Sequence, residues 1–95
     1  MTFPALGPHS LISRCPEVFT GKVDGETMLM TAESGKYFLL NQVGGEVVDL
    51  FEEPVCFGRL TQILQERFQV PRETLEADLA AFLQSLANQH IIAIA

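Results

Sequence analysis

Residues 36–51 read KYFLLNQVGGEVVDLF, and the chain changes its period inside this stretch. Tyr37-Phe38-Leu39-Leu40 is a continuous apolar run of strand length. From Asn41 onward the apolar residues Val43, Val47, Leu50 and Phe51 recur at helical spacing instead. Asn41 stands where its side chain can cap the new helix. Gly44 and Gly45 fall in the first turn, where each costs up to ~1 kcal/mol relative to Ala. They are either tolerated there or mark a close backbone approach to a neighbour. Pro54 ends the element.

Upstream, Asp24-Gly25 and Ser34-Gly35 are two-residue turn signals of the hairpin kind. They separate three runs of strand character, residues 17–23, 26–33 and 36–40. Two-residue loops set the register: Val23 opposite Glu26, Phe19 opposite Met30, Glu33 opposite Lys36, and Leu39 opposite Met30. The Glu33–Lys36 pair is a favourable cross-strand charge pair. One face then collects Phe19, Val23, Met28, Met30, Ala32, Tyr37 and Leu39, and is expected to be the core. The other mixes Thr20, Lys22, Thr27, Thr31, Glu33 and Lys36 with Val18, Leu29, Phe38 and Leu40. Residues 1–16, rich in proline and without a sustained period, read as an extended N-terminal arm ahead of a domain at 17–95.

Downstream, Phe57, Leu60, Ile63, Leu64 and Phe68 predict a second helix. Pro71 suits the first turn of a third, with Glu73 and Glu76 near its N-terminal dipole. Leu75, Leu79, Phe82, Leu83 and Leu86 form its apolar stripe, with Asp78 at the edge. Residues 91–95 finish as a short strand or pack irregularly. The expected fold class is α+β, winged-helix-like, with a three-stranded antiparallel sheet followed by three helices.

Ninety-five residues allow one domain with one core. Six basic against twelve acidic side chains give a net charge of −6, a poor basis for binding phosphates. Cys15 and Cys56 form no CxxC, and His9 and His90 lie near opposite ends, so no zinc set is formed. No metal site or cofactor is expected. The two cysteines read as reduced thiols. A signal peptide and a membrane-length apolar run are both absent from the sequence, and a cytoplasmic location is expected.

In a three-stranded meander the run Tyr37–Leu40 is an edge, guarded only by Lys36. An exposed apolar edge is normally blunted. Either the N-terminal arm or a second copy covers it, or it stays open for strand addition. In strand addition, ladder bonds give affinity and side-chain pockets give specificity. The third helix can form the far wall of such a groove.

The run YFLLN followed by QVGGEVVDLF resembles the Y-x-L-N plus glycine-helix signature of PqqD-like proteins. These are the leader-binding domains called RiPP recognition elements, which serve ribosomally synthesised and post-translationally modified peptides. The segment FQVPRETLEADLAAFLQSLANQHII is similar to their usual ending, and the resemblance covers roughly residues 17–92. It implies a non-catalytic winged-helix adaptor that takes the leader of a precursor peptide as an extra strand. The strand wall it implies is Tyr37, Phe38, Leu39 and Leu40. The helix wall is Leu75, Asp78, Leu79, Phe82 and Leu83. Asp78 matches a recurrent acidic position able to take a hydrogen bond or a cation; on its own it reads equally well as a solvated helix-flank carboxylate. The chain departs from the pattern in three places. Proteins of pyrroloquinoline quinone synthesis usually lack the YFLLN run. Val48 or Asp49 stands where an aromatic is frequent, and Cys56 replaces a common Thr or Ser cap. The small free-standing chain resembles the discrete leader binders of lasso peptide clusters, which implies a separate leader peptidase and cyclase as partners.

Three rivals are weaker. A winged-helix DNA binder would rely on Arg59 and Arg67 beside Glu66, too few cations to anchor phosphates. An enzyme would need a nucleophile–base pair or a phosphate loop, and neither is suggested by position. Asp49, Glu52 and Glu53 read as a solvated acidic loop at a helix end that prefers cations. The third rival is a structural dimer joined edge to edge through 37–40.

Overall fold

The computed structural model describes residues 6–32 and 35–95. The elements are β1 (Leu11–Arg14), β2 (Val18–Val23), β3 (Glu26–Thr31), β4 (Tyr37–Leu40), α1 (Gln42–Leu50), β5 (Val55–Cys56), α2 (Phe57–Phe68), α3 (Arg72–Asn88) and β6 (Ile92–Ile94). The strands form two antiparallel three-stranded sheets, ordered β2-β3-β4 and β5-β1-β6. The α+β class is as expected. The second sheet is additional to the single meander read from the sequence.

That second sheet draws on the stretch read as an arm. Ile12 of β1 is fully buried, and β1 pairs with β5 and β6, which are contributed by distant parts of the chain. The same stretch caps α2. The Phe57 N–H donates to the Ser10 carbonyl at 2.8 Å, and the Gly58 N–H to the Pro8 carbonyl at 3.0 Å. Cys56, at the cap position, makes no side-chain cap bond, so the chain's own carbonyls take those first amides. Pro71 sits just ahead of α3 rather than inside its first turn, its carbonyl accepting from Leu75 N–H at 3.0 Å.

In the meander the first hairpin follows the expected register, with Val23 opposite Glu26 and Phe19 opposite Met30. Asp24 and Gly25 both take positive φ, 50° and 83°, as a type I′ turn requires. The second hairpin differs. Leu39 lies opposite Met28, not Met30, and Met30 lies opposite Tyr37. The Thr31 N–H donates to the Lys36 carbonyl at 3.0 Å, so the closing loop is longer than two residues. Glu33 and Ser34, on which the expected turn and the Glu33–Lys36 pair fall, lie outside the described residues. A shift of two positions leaves every side chain on its face, because the strand period is two.

The buried face itself is the reverse of the one expected. Thr27, Leu29 and Thr31 are buried, while Phe19, Val23, Met30, Tyr37 and Leu39 are exposed. The cause is the position of α1. Asn41 caps this helix, its Oδ1 accepting from Gly44 N–H at 2.8 Å, and the helix packs over the Thr27–Leu29 side of the sheet. A Cβ on Gly45 would lie 3.0 Å from Thr27 Cβ, so here glycine marks a close approach of helix to strand. Several polar groups beside this face find partners locally. Lys22 Nζ donates to Thr27 Oγ1 at 2.8 Å and lies 3.2 Å from Asp49 Oδ2. Arg14 Nη2 donates to the Val48 carbonyl at 2.9 Å. Cations thus reach the last turn of α1, where its dipole favours them. Asp49 lies in that last turn and stays exposed, with Lys22 and Arg14 beside it.

Ile12, Leu29, Val48, Phe51, Leu60, Leu64, Leu83 and Ile91 meet in one core drawn from both sheets and all three helices.

Candidate functional site

β4 is an edge strand: among the described residues no strand pairs with its outer side. Its amides alternate in direction. Thr31 and Lys36 form a hydrogen-bonded pair, so Leu29–Phe38 and Thr27–Leu40 are the next such pairs in the ladder. The N–H and C=O groups of Tyr37 and Leu39 therefore point away from β3, along the open edge. These four groups are what an incoming strand would bond.

Beside this edge lies an open groove of about 390 Å³. Leu39, Leu40 and Asn41 supply one wall, and Leu75, Asp78, Leu79 and Phe82 of α3 supply the other. Val43, Gly44 and Val47 of α1 and Leu64 and Phe68 of α2 also line it. The lining is mostly apolar, and Asp78 alone among these residues carries a charge. The Asn41 amide oxygen is already engaged by the α1 cap. Gly44 lets the walls come together, since a Cβ there would lie 3.3 Å from Leu40 Cβ and 3.5 Å from Phe82 Cζ. On the solvent flank of α3, Arg72 Nε is bound to Glu76 Oε1 at 2.7 Å.

Of the residues named from the sequence, Leu39, Leu40, Leu75, Asp78, Leu79 and Phe82 come together around this groove. Tyr37, Phe38 and Leu83 do not line it. Tyr37 is 67% exposed on the outer face of the sheet. Phe38 is half-buried against the core. Leu83 is 0% exposed and belongs to the core side of α3. Sequence reasoning missed the contributions of α1 and α2. The signal available for α1 was Gly44, a small residue where backbone and aromatic ring must approach. Leu64 and Phe68 carry no local mark, because they continue the same apolar stripe that builds the core.

Among the described residues no three His, Cys, Asp or Glu side chains group as metal ligands. No helix of the described residues is long and apolar enough to cross a membrane. Burial, helped by the Glu17 carboxylate, pushes the Cys15 thiol upward, which opposes nucleophile chemistry there.

Comparison with known proteins places this chain in a family. The family model described as coenzyme PQQ synthesis protein D (PqqD) matches residues 26–92. The chain belongs to the PqqD family of RiPP recognition elements. The matched span holds β3, β4, all three helices and the start of β6, and so contains the whole groove. Two solved structures share this chain's fold. TbiB1 in complex with the TbiA(beta) leader peptide superposes with a TM-score of 0.79 at 30% identity, over 84% of this chain and 93% of that one. Lasso peptide synthetase B1 complexed with the leader peptide gives 0.76 at 24% identity, over 86% of this chain and 96% of that one. No curated protein shows a significant match.

Proposed function

We propose that this PqqD-family chain is a non-catalytic adaptor. It holds the leader of a ribosomally made precursor peptide as an added strand on β4 and delivers it to processing enzymes. The observation that carries the reading is the pairing of an open β4 edge, with its Tyr37 and Leu39 amides turned outward, and an apolar groove walled by α3. Ladder bonds along the edge supply affinity without regard to sequence, and side chains entering the groove supply selectivity. Leu39, Leu40, Leu75, Leu79 and Phe82 would receive apolar leader side chains. Asp78 would take a hydrogen bond or a cation from the leader.

The two leader-bound relatives support this assignment, and the lasso synthetase among them favours a lasso-type pathway. In that setting the partners are a leader peptidase and a cyclase, and the location is the cytoplasm. The adaptor works by raising the effective concentration of the precursor at its enzyme, which requires no chemistry of its own. Residues 17–95 then act as the winged-helix-like leader-binding domain, with β2-β3-β4 followed by three helices and with β1 of the preceding arm packed into its core.

The test is a titration of a labelled synthetic leader, taken from the precursor encoded beside this chain, read by fluorescence anisotropy. Saturable binding at roughly ten micromolar or tighter is expected. Folded protein with no saturable binding overturns the proposal.

A further inference from the structure

The outer face of the meander carries two cross-strand rows of side chains. Phe19, Met30 and Tyr37 stand in line across β2, β3 and β4, as do Gly21, Met28 and Leu39. The members of the first row are all exposed: Phe19 is 57%, Met30 38% and Tyr37 67% accessible. In the second, Leu39 is 57% exposed, and the Met28 methyl lies 3.9 Å from where a Gly21 Cβ would stand. Apart from Leu39, which also lines the groove, this face does not look into it, yet it ends at the same edge. Tyr37 and Leu39 are the residues whose amides face outward, and they are also the last members of the two rows.

From this we infer that the partner strand on β4 is read on both faces of the sheet. Alternate side chains enter the groove, and those between them lie on the outer face beside Tyr37 and Leu39. The inference rests on the strand-addition reading and specifies the peptide it selects. The recognised segment is a short run of consecutive apolar residues, not one that alternates apolar with polar.

The physical reason is strand geometry. Successive side chains of an added strand must point to opposite faces. Those level with Tyr37 and Leu39 come within about 4.5–5.5 Å of them, the separation at which cross-strand pairs interact. An apolar residue at those levels covers surface that Tyr37 and Leu39 otherwise expose to water. A charged residue there would be set against an aromatic and a leucine. The occupant of this margin is therefore the peptide itself. Continuity of edge and face through the same two residues fits a single added strand; a second copy on this face is the outcome the experiment below separates from it.

The experiment uses the full chain and the labelled synthetic leader, with each leader residue replaced by Ser in turn. Sensitive positions are expected to be consecutive, and Tyr37→Ser is expected to weaken binding about two- to fivefold. Combined with the Ser variant of the leader residue beside it, Tyr37→Ser should show a smaller loss than the two single losses together. Phe19→Ser is the reference. It lies three strand spacings, about 14 Å, from an added strand, and should bind as the parent does. Strictly alternating sensitivity, with Tyr37→Ser binding normally, overturns this inference while leaving strand addition intact. A drop in solution mass on Phe19→Ser shows a second copy on this face and also overturns it. Failure of the unsubstituted leader to bind overturns the function itself, and this inference with it.

Discussion

Gly45 of α1 lies against Thr27 of β3, so closely that a Cβ at Gly45 would stand 3.0 Å from the Thr27 Cβ. Helix propensity alone favours replacing this glycine by alanine, by up to about 1 kcal/mol. The contact reverses that sign. Thr27 is buried and its hydroxyl is held by Lys22, so it has no cheap route out of the way. Gly45→Ala is expected to destabilise the fold by about 1–3 kcal/mol, as overpacking does. The midpoint of urea unfolding checks this, and a midpoint equal to or above the parent's would refute the account.

Asn41 ends β4 and starts α1, and its Oδ1 takes the Gly44 amide at 2.8 Å. Asn41→Ala removes that cap and should cost about 1 kcal/mol. Asn41→Asp keeps an acceptor in place and should retain most of the stability. Denaturant curves of the two variants side by side provide the comparison.

Binding and stability should separate along the groove. Leu39 and Val43 are both exposed residues of its lining, so Leu39→Lys and Val43→Ser should weaken leader binding with little change in unfolding midpoint. Leu83 is fully buried away from the groove, and Leu83→Ala should cost about 2–5 kcal/mol. Circular dichroism melts paired with leader titrations measure both quantities. Unfolding by Leu39→Lys would place that residue in the core and remove it from the site.

Burial, with the Glu17 carboxylate behind it, raises the Cys15 thiol above its ordinary range. The folded protein therefore holds the Cys15 proton to higher pH than the unfolded chain does. Stability from this group is present below the ordinary thiol pKa and declines as pH rises through the raised value. In a Cys56→Ser background, iodoacetamide should modify Cys15 more slowly in the folded protein than in urea near pH 8.5, a test range taken from ordinary thiol behaviour at about that value. Equal rates would contradict the placement of Cys15.

Much of the site was legible in the residues 36–51. The switch of period at Asn41 marks both the edge strand and the helix that opens beside it. The stripe of α3 marks the far wall. What the stripe could not show was where core stops and groove begins, because Leu79, Phe82 and Leu83 share one apolar arc. Leu83 turns to the core and Phe82 to the groove, where the Phe82 ring comes close to Gly44 of α1.

By itself the sequence determined the local elements: the Asp24-Gly25 turn through its positive φ values, the Asn41 cap, and three helices through their apolar period. These depend on neighbours a few residues apart, so a short stretch suffices to specify them. Tertiary structure alone decided which face of the meander is buried and which strand pairs with Leu11–Arg14. Period two states that a sheet has two faces but not which one a helix will cover. Here that choice was made by α1 packing over Thr27 and Leu29, leaving the more apolar face of Phe19, Met30 and Tyr37 exposed. β1 likewise gains its strand character from Val55–Cys56 and Ile92–Ile94, and no pattern within its own residues carries that information.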